Sequence, residues 1–66
     1  MNEAEKYAEQ MIKTIKFEAL TNEQQSIKIA IRMIDFTFKY MDKENVERLF
    51  FFAECKKILC IKLGKL

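Results

Sequence analysis

The stretch Leu49-Phe50-Phe51-Phe52-Ala53 decides how this chain is read. Successive residues of an α-helix are rotated by about 100° around its axis. Consecutive apolar side chains therefore point in almost every direction, and a helix that is apolar all round must be buried on more than one side. The chain has 66 residues. A domain of that size buries only about 60% of the surface its unfolded form exposes. The stretch thus predicts a helix that packs on its own bundle with one side and on a second chain with another, either a copy of itself or a different protein.

Working outward from it, the chain contains no proline, and Gly64 is its only glycine. With helix breakers missing from the interior, the whole chain reads as one all-α domain over residues 1–66. Its expected architecture is a three-helix arrangement with helices at about 2–19, 22–41 and 43–63, completed by a second chain.

In the first helix Ala4, Ala8, Met11, Ile12, Ile15 and Ala19 recur at helical spacing and form one stripe. Asn2 is placed to cap it, and Glu3 and Glu5 suit the positive end of the helix dipole. The stripe is light, because alanines occupy half of it. Small side chains let a neighbouring helix come close.

Thr21-Asn22-Glu23-Gln24 reads as the next start, a capping box between Thr21 and Gln24. In the second helix Lys28, Arg32, Asp35 and Lys39 make a polar strip only about 60° wide. Against it stand two apolar stripes, Ile27-Ile31-Ile34-Phe38-Met41 and Ile29-Met33-Phe36-Tyr40, with Ala30 and Thr37 between them. The apolar arc of roughly 220° exceeds the 100° or so of an ordinary surface helix. This helix is expected at the centre, with neighbours on two sides.

Asp42 is the expected cap of the third helix. Glu44 and Glu47 lie near its start and Lys56, Lys57 and Lys62 nearer its end, an order that suits the dipole. Gly64 stands where a left-handed C-terminal cap belongs. Val46, Leu49, Phe52, Ala53, Leu59, Cys60 and Leu63 form a broad face interrupted by Lys56. Phe50, Phe51, Cys55, Ile58 and Ile61 fall outside it. The link between the second and third helices is short, with Asp42 almost all of it, so the two are read as an antiparallel pair. From Lys39 to Glu47 the residues are good helix formers apart from Tyr40, Asp42, Asn45 and Val46. That stretch keeps one long bent helix, suited to an intertwined dimer, as the alternative.

Several function classes drop out on composition. The chain has no histidine and Ser26 is its only serine. A Ser–His or Cys–His nucleophile therefore lacks its base, and no enzyme activity or cofactor is expected. Glu5 with Glu9, and Glu44 with Glu47, share helix faces but read as solvated polar surface rather than acid–base pairs. Glu54 reads as a surface ion pair with Lys57 at i+3, or as a charge facing a partner. Cys55 and Cys60 lie about 140° apart around a helix and do not bridge to each other. Two thiols fall short of the four ligands of a structural zinc. Both are expected to be buried free thiols, which fits a reducing compartment and hence the cytoplasm. The N-terminus lacks the basic start and apolar stretch of a secretory signal. The longest apolar run is far below the roughly 20 residues needed to span a bilayer. The Cys55–Leu66 segment is cationic and apolar, but Lys56, Lys57 and Lys62 point about 100° to 140° apart, which argues against lying on a membrane.

The remaining classes are binding functions. Phe and Met are enriched in protein interfaces, and burying one Phe is worth roughly 1.5–3 kcal/mol. The expected function is a small cytoplasmic protein-binding module, a regulator, inhibitor or adaptor. It would work through an apolar helical face as a homodimer or on another protein. The expected contact residues are Phe36, Tyr40, Phe50, Phe51, Phe52, Cys55, Ile58 and Ile61. The second reading is a small dimeric DNA-binding protein that uses the basic strip Lys28, Arg32 and Lys39 on phosphates. Against it stand a net charge of only +2 and acids interspersed along the same faces. The tight-turn glycine often found in a helix-turn-helix is also missing.

Overall fold

In a computed structural model that describes residues 2–66, the chain forms α1 (Glu3–Ala19), α2 (Glu23–Tyr40) and α3 (Val46–Gly64). Each helix packs against both others. Each begins at an asparagine whose side chain takes up a free backbone donor of the first turn. Asn2 Oδ1 accepts from the Glu5 N–H at 2.8 Å, Asn22 Oδ1 from Gln25 at 2.8 Å, and Asn45 Oδ1 from Arg48 at 3.3 Å.

Two of these starts lie later than the sequence predicts. The capping box of α2 is built by Asn22 and Gln25, one residue beyond the Thr21–Gln24 pair, and the Gln25 side chain accepts in return from the Asn22 N–H at 3.5 Å. Thr21 is engaged elsewhere. Its hydroxyl pairs with that of Ser26, which is wholly buried and donates to the Asn22 carbonyl at 2.7 Å. Burying Ser26 therefore draws Thr21 inward and leaves the cap to asparagine, the stronger capping residue. At α3 the cap is Asn45, not Asp42. Asp42 instead accepts from the Glu44 N–H at 3.0 Å and holds a turn closed by Asn45 N–H on the Asp42 carbonyl at 3.2 Å. Met41 is extended (φ −77, ψ 146). So α2 and α3 are separate helices, and the continuous alternative is removed.

The left-handed residue is Leu20 (φ 55, ψ 37), which closes α1. Gly64 has no positive φ and belongs to α3, whose cap is Lys65 in a right-handed conformation. The chain needs its tight reversal between α1 and α2, within Leu20, Thr21 and Asn22, and the unusual backbone goes where the reversal is.

The core is made by Ala4, Ala8, Ile12 and Ile15 of α1, Ile27, Ala30 and Ile34 of α2, and Cys55 and Leu59 of α3. Alanines on α1 and α2 remove bulk between the helices, so branched residues from the neighbours fill the space between close backbones. The second apolar stripe of α2 is only partly covered. Ile29 is half-buried, whereas Met33, Phe36 and Tyr40 remain exposed.

α3 turns a different side inward from the one its pattern suggests. Val46, Ala53 and Cys60, members of the predicted face, are exposed. Cys55 and Leu59 enter the core, with Phe51, Phe52, Ile58 and Leu63 packed against it. In this rotation the lysines flank the buried face instead of interrupting it. Lys56 Nζ meets Asp35 of α2 at 2.6 Å, and Lys62 Nζ lies 3.9 Å from Glu9 of α1. Among the described residues the ion pairs thus run between helices, and Glu54 is not paired with Lys57. Cys60, expected to be buried, is exposed because it lies about 140° around the helix from Cys55. Among the described residues no helix is long and apolar enough to cross a membrane.

Candidate protein-binding surface

α1 and α3 run parallel, so their N-terminal halves meet beside the end of α2. Tyr7 packs edge-on against Phe51 and Phe52, at centroid separations of 5.4 and 5.6 Å, and those two rings meet each other at 5.3 Å. Edge-to-face geometry places the positive rim of one ring on the negative face of the next. Phe51 and Phe52 are mostly covered, and Tyr7 is exposed.

A shallow groove of about 220 Å³ continues from Tyr7 along Gln10, Met11 and Thr14 to Met33 across on α2. One and two turns beyond Met33 on the same face stand Phe36 and Tyr40, with rings 4.7 Å apart. Lys39 Nζ lies 5.6 Å from the Tyr40 centroid, a cation–π contact. These rings wall a hollow of about 350 Å³ that Met41, Asn45 and Arg48 close from the α2–α3 turn. Arg48 offers a cation beside two exposed aromatic faces, a combination common at protein interfaces.

A second surface lies on α3. Phe50 is about 140° around the helix from Cys55 and faces away from the bundle, with 72% of its surface exposed. Ile61 is exposed on the same outward side, with Val46, Ala53 and Cys60 beside them.

The predicted contact residues therefore divide. Phe36, Tyr40, Phe50 and Ile61 are exposed, and Phe51, Phe52 and Ile58 are half-buried against the core. Cys55 does not belong to any surface. It is wholly buried, and its thiol donates to the Ala4 carbonyl at 3.6 Å. Burial, with the nearby Glu54 charge, pushes the Cys55 thiol above its ordinary pKa. Phe36 and Tyr40 come together, whereas Phe50 and Ile61 lie on a different face. Sequence reasoning missed Tyr7 and Met33 as surface residues. Tyr7 stands off the α1 stripe, beside Met11, and that displacement is the signal that was available.

The basic strip of α2 is also exposed, with Lys28, Arg32 and Lys39 all at the surface. Asp35, the acid within it, is matched by Lys56, whose pKa is raised by the hydrogen bond to that carboxylate. No protein-family model matches the chain, and no curated protein or solved structure matches it either.

Proposed function

We propose that this chain is a protein-binding module, a regulator, inhibitor or adaptor in kind, that works through its exposed apolar helical surface and pairs first with a second copy of itself. The exposure of Phe50 at 72%, with Phe36 at 65% and Tyr40 at 67%, carries this reading. Each ring returned from water to an interface is worth roughly 1.5–3 kcal/mol, a large share of the roughly 5–15 kcal/mol that holds a small domain together. C2 dimers are the commonest oligomers, which makes a copy of the same chain the first occupant. The exposed free thiol of Cys60 supports a reducing compartment, the cytoplasm.

Sedimentation equilibrium across a range of concentrations tests the self-pairing. A mass rising from monomer to dimer is expected. A monomer at every concentration would remove self-association and leave a different protein as the occupant of the aromatic surface.

The pairing of Asp35 with Lys56 favours a second reading, because it leaves Lys28, Arg32 and Lys39 without a free acid between them. In that reading the chain contacts nucleic-acid phosphates along α2. Retention on nonspecific DNA that falls steeply with salt is its signature. No retention at low salt removes it.

A further inference from the structure

The outward side of α3 has a regularity that the core does not explain. Val46, Phe50, Ala53, Lys57, Cys60 and Gly64 are all exposed. They follow one another at alternating spacings of four and three, the heptad rhythm of a helix seam that meets a second helix. An added Cβ at Gly64 would meet nothing, so that end of the seam is open space.

The spacing is also symmetric about the level of Cys55. Reversing the helix returns the same positions, so Val46 changes places with Gly64, Phe50 with Cys60 and Ala53 with Lys57. In each exchange a larger side chain meets a smaller one. Two copies laid antiparallel would set Phe50 of each opposite Cys60 of the other, and Val46 opposite Gly64. A parallel pair would stack Phe50 on Phe50 and Lys57 on Lys57.

Charge follows the same symmetry. Glu47 and Glu54 stand in the first part of α3, and Lys57 and Lys65 in the last part and its cap. Antiparallel, Glu47 of one copy comes within about 3 Å of the level of Lys65 of the other. Glu54 comes within about 1.5 Å of the level of Lys57. The central charges then run Lys57, Glu54, Glu54, Lys57, each glutamate flanked by the lysine of the other copy and the two glutamates about 3 Å apart in level, while opposed helix dipoles add to the attraction. A polar residue at one seam position commonly fixes orientation at some cost in stability, and Lys57 occupies that place.

We propose that two copies pair through the outward face of α3, antiparallel, about a two-fold axis at the level of Cys55. The proposal rests on the self-pairing reading above and adds the face and the direction to it. The Phe36–Tyr40 hollow, on a different side, stays open in such a dimer.

Disulfide trapping tests it. In the proposed dimer the Cys60 residues lie about 15 Å apart along the helices, too far for a bond. Mild oxidation of the unaltered chain should therefore leave it unlinked. A Phe50→Cys variant should become mainly covalent dimer, because each new thiol faces Cys60 of the other copy. Adding Cys60→Ser to that variant should abolish the link. Phe50 is far from the core, so helicity by circular dichroism should be unchanged in both variants. Linking of the unaltered chain through Cys60 would overturn the antiparallel arrangement. So would a reduced Phe50→Cys variant that sediments as a dimer but does not link. In either case self-pairing itself would stand. A monomer at every concentration would overturn both.

Discussion

The thiol of Cys55 on α3 donates to the main-chain carbonyl of Ala4 on α1 at 3.6 Å, joining residues 51 apart in sequence. The contact is small in energy, since sulfur is a weak donor, and it lies on the side of α3 that faces inward. It also gives the two thiols of this chain opposite surroundings.

That contrast should appear in thiol chemistry. In dilute protein Cys60 should react with a colorimetric disulfide reagent at the rate of a free thiol. Cys55 should react at least about 100-fold more slowly, since it is reached only when the bundle opens. Denaturant should make the two equal. At concentrations where the chain pairs through α3, Cys60 should slow as well.

Alkaline pH should loosen the fold. The Cys55 pKa is raised above its ordinary value of 9.0 in the folded chain. Below pH 9.0 the thiol is protonated in both states and its contribution to stability is constant. As pH rises from there towards the raised native value, the unfolded chain loses the proton first, so stability falls. Urea midpoints measured from pH 8 upward should stay level to about pH 9.0 and then decline, and Cys55→Ala should flatten the decline while lowering the midpoint at every pH by a cavity cost on the order of 1–2 kcal/mol.

Neighbouring phenylalanines should respond differently to the same charge. Phe50→Glu should keep its helicity and its urea midpoint as a monomer while weakening the dimer by at least about tenfold, because the ring lies in water until a partner covers it. Phe51→Glu should cost about 2–4 kcal/mol of stability, since it removes a ring packed on Tyr7 and Phe52 and drives a carboxylate against the core. Equal loss of stability in both variants would contradict the placement of Phe50.

Leu20 invites a stabilising change. Its left-handed backbone costs a residue with a Cβ about 1–2 kcal/mol, and its side chain is 89% exposed, so little packing is lost. Leu20→Gly should raise the unfolding free energy by about 0.5–1 kcal/mol after the added freedom of glycine in the unfolded chain is subtracted.

α1 was legible in the sequence because its pattern has a single answer. Ala4, Ala8, Ile12 and Ile15 share one stripe, their opposite side is charged, and those four are the buried residues. α3 was not, for a physical reason. Apolar residues surround it so evenly that periodicity favours no side, and its rotation follows from which of them the other two helices cover: Cys55 and Leu59 fully, with Phe51, Phe52, Ile58 and Leu63 packed against the core. The same evenness explains why the contact residues were divided only once the bundle was seen. The helix starts shifted because Thr and Asp offer the same acceptor as Asn in sequence, and only burial of Ser26 and the turn at Asp42 decide among them.

The reversal between Met41 and Asn45 is held by two short polar side chains, with neither proline nor glycine to enforce it. Lys43 and Glu44, between those two side chains, are good helix formers. Were both acceptors erased, the cheapest backbone for the connector would be a straight rod, which would carry the last helix out of its own molecule. A neighbouring molecule could then receive it, so the same core would be assembled from exchanged segments. Asp42 and Asn45 thus stand guard between a self-contained fold and an entangled one.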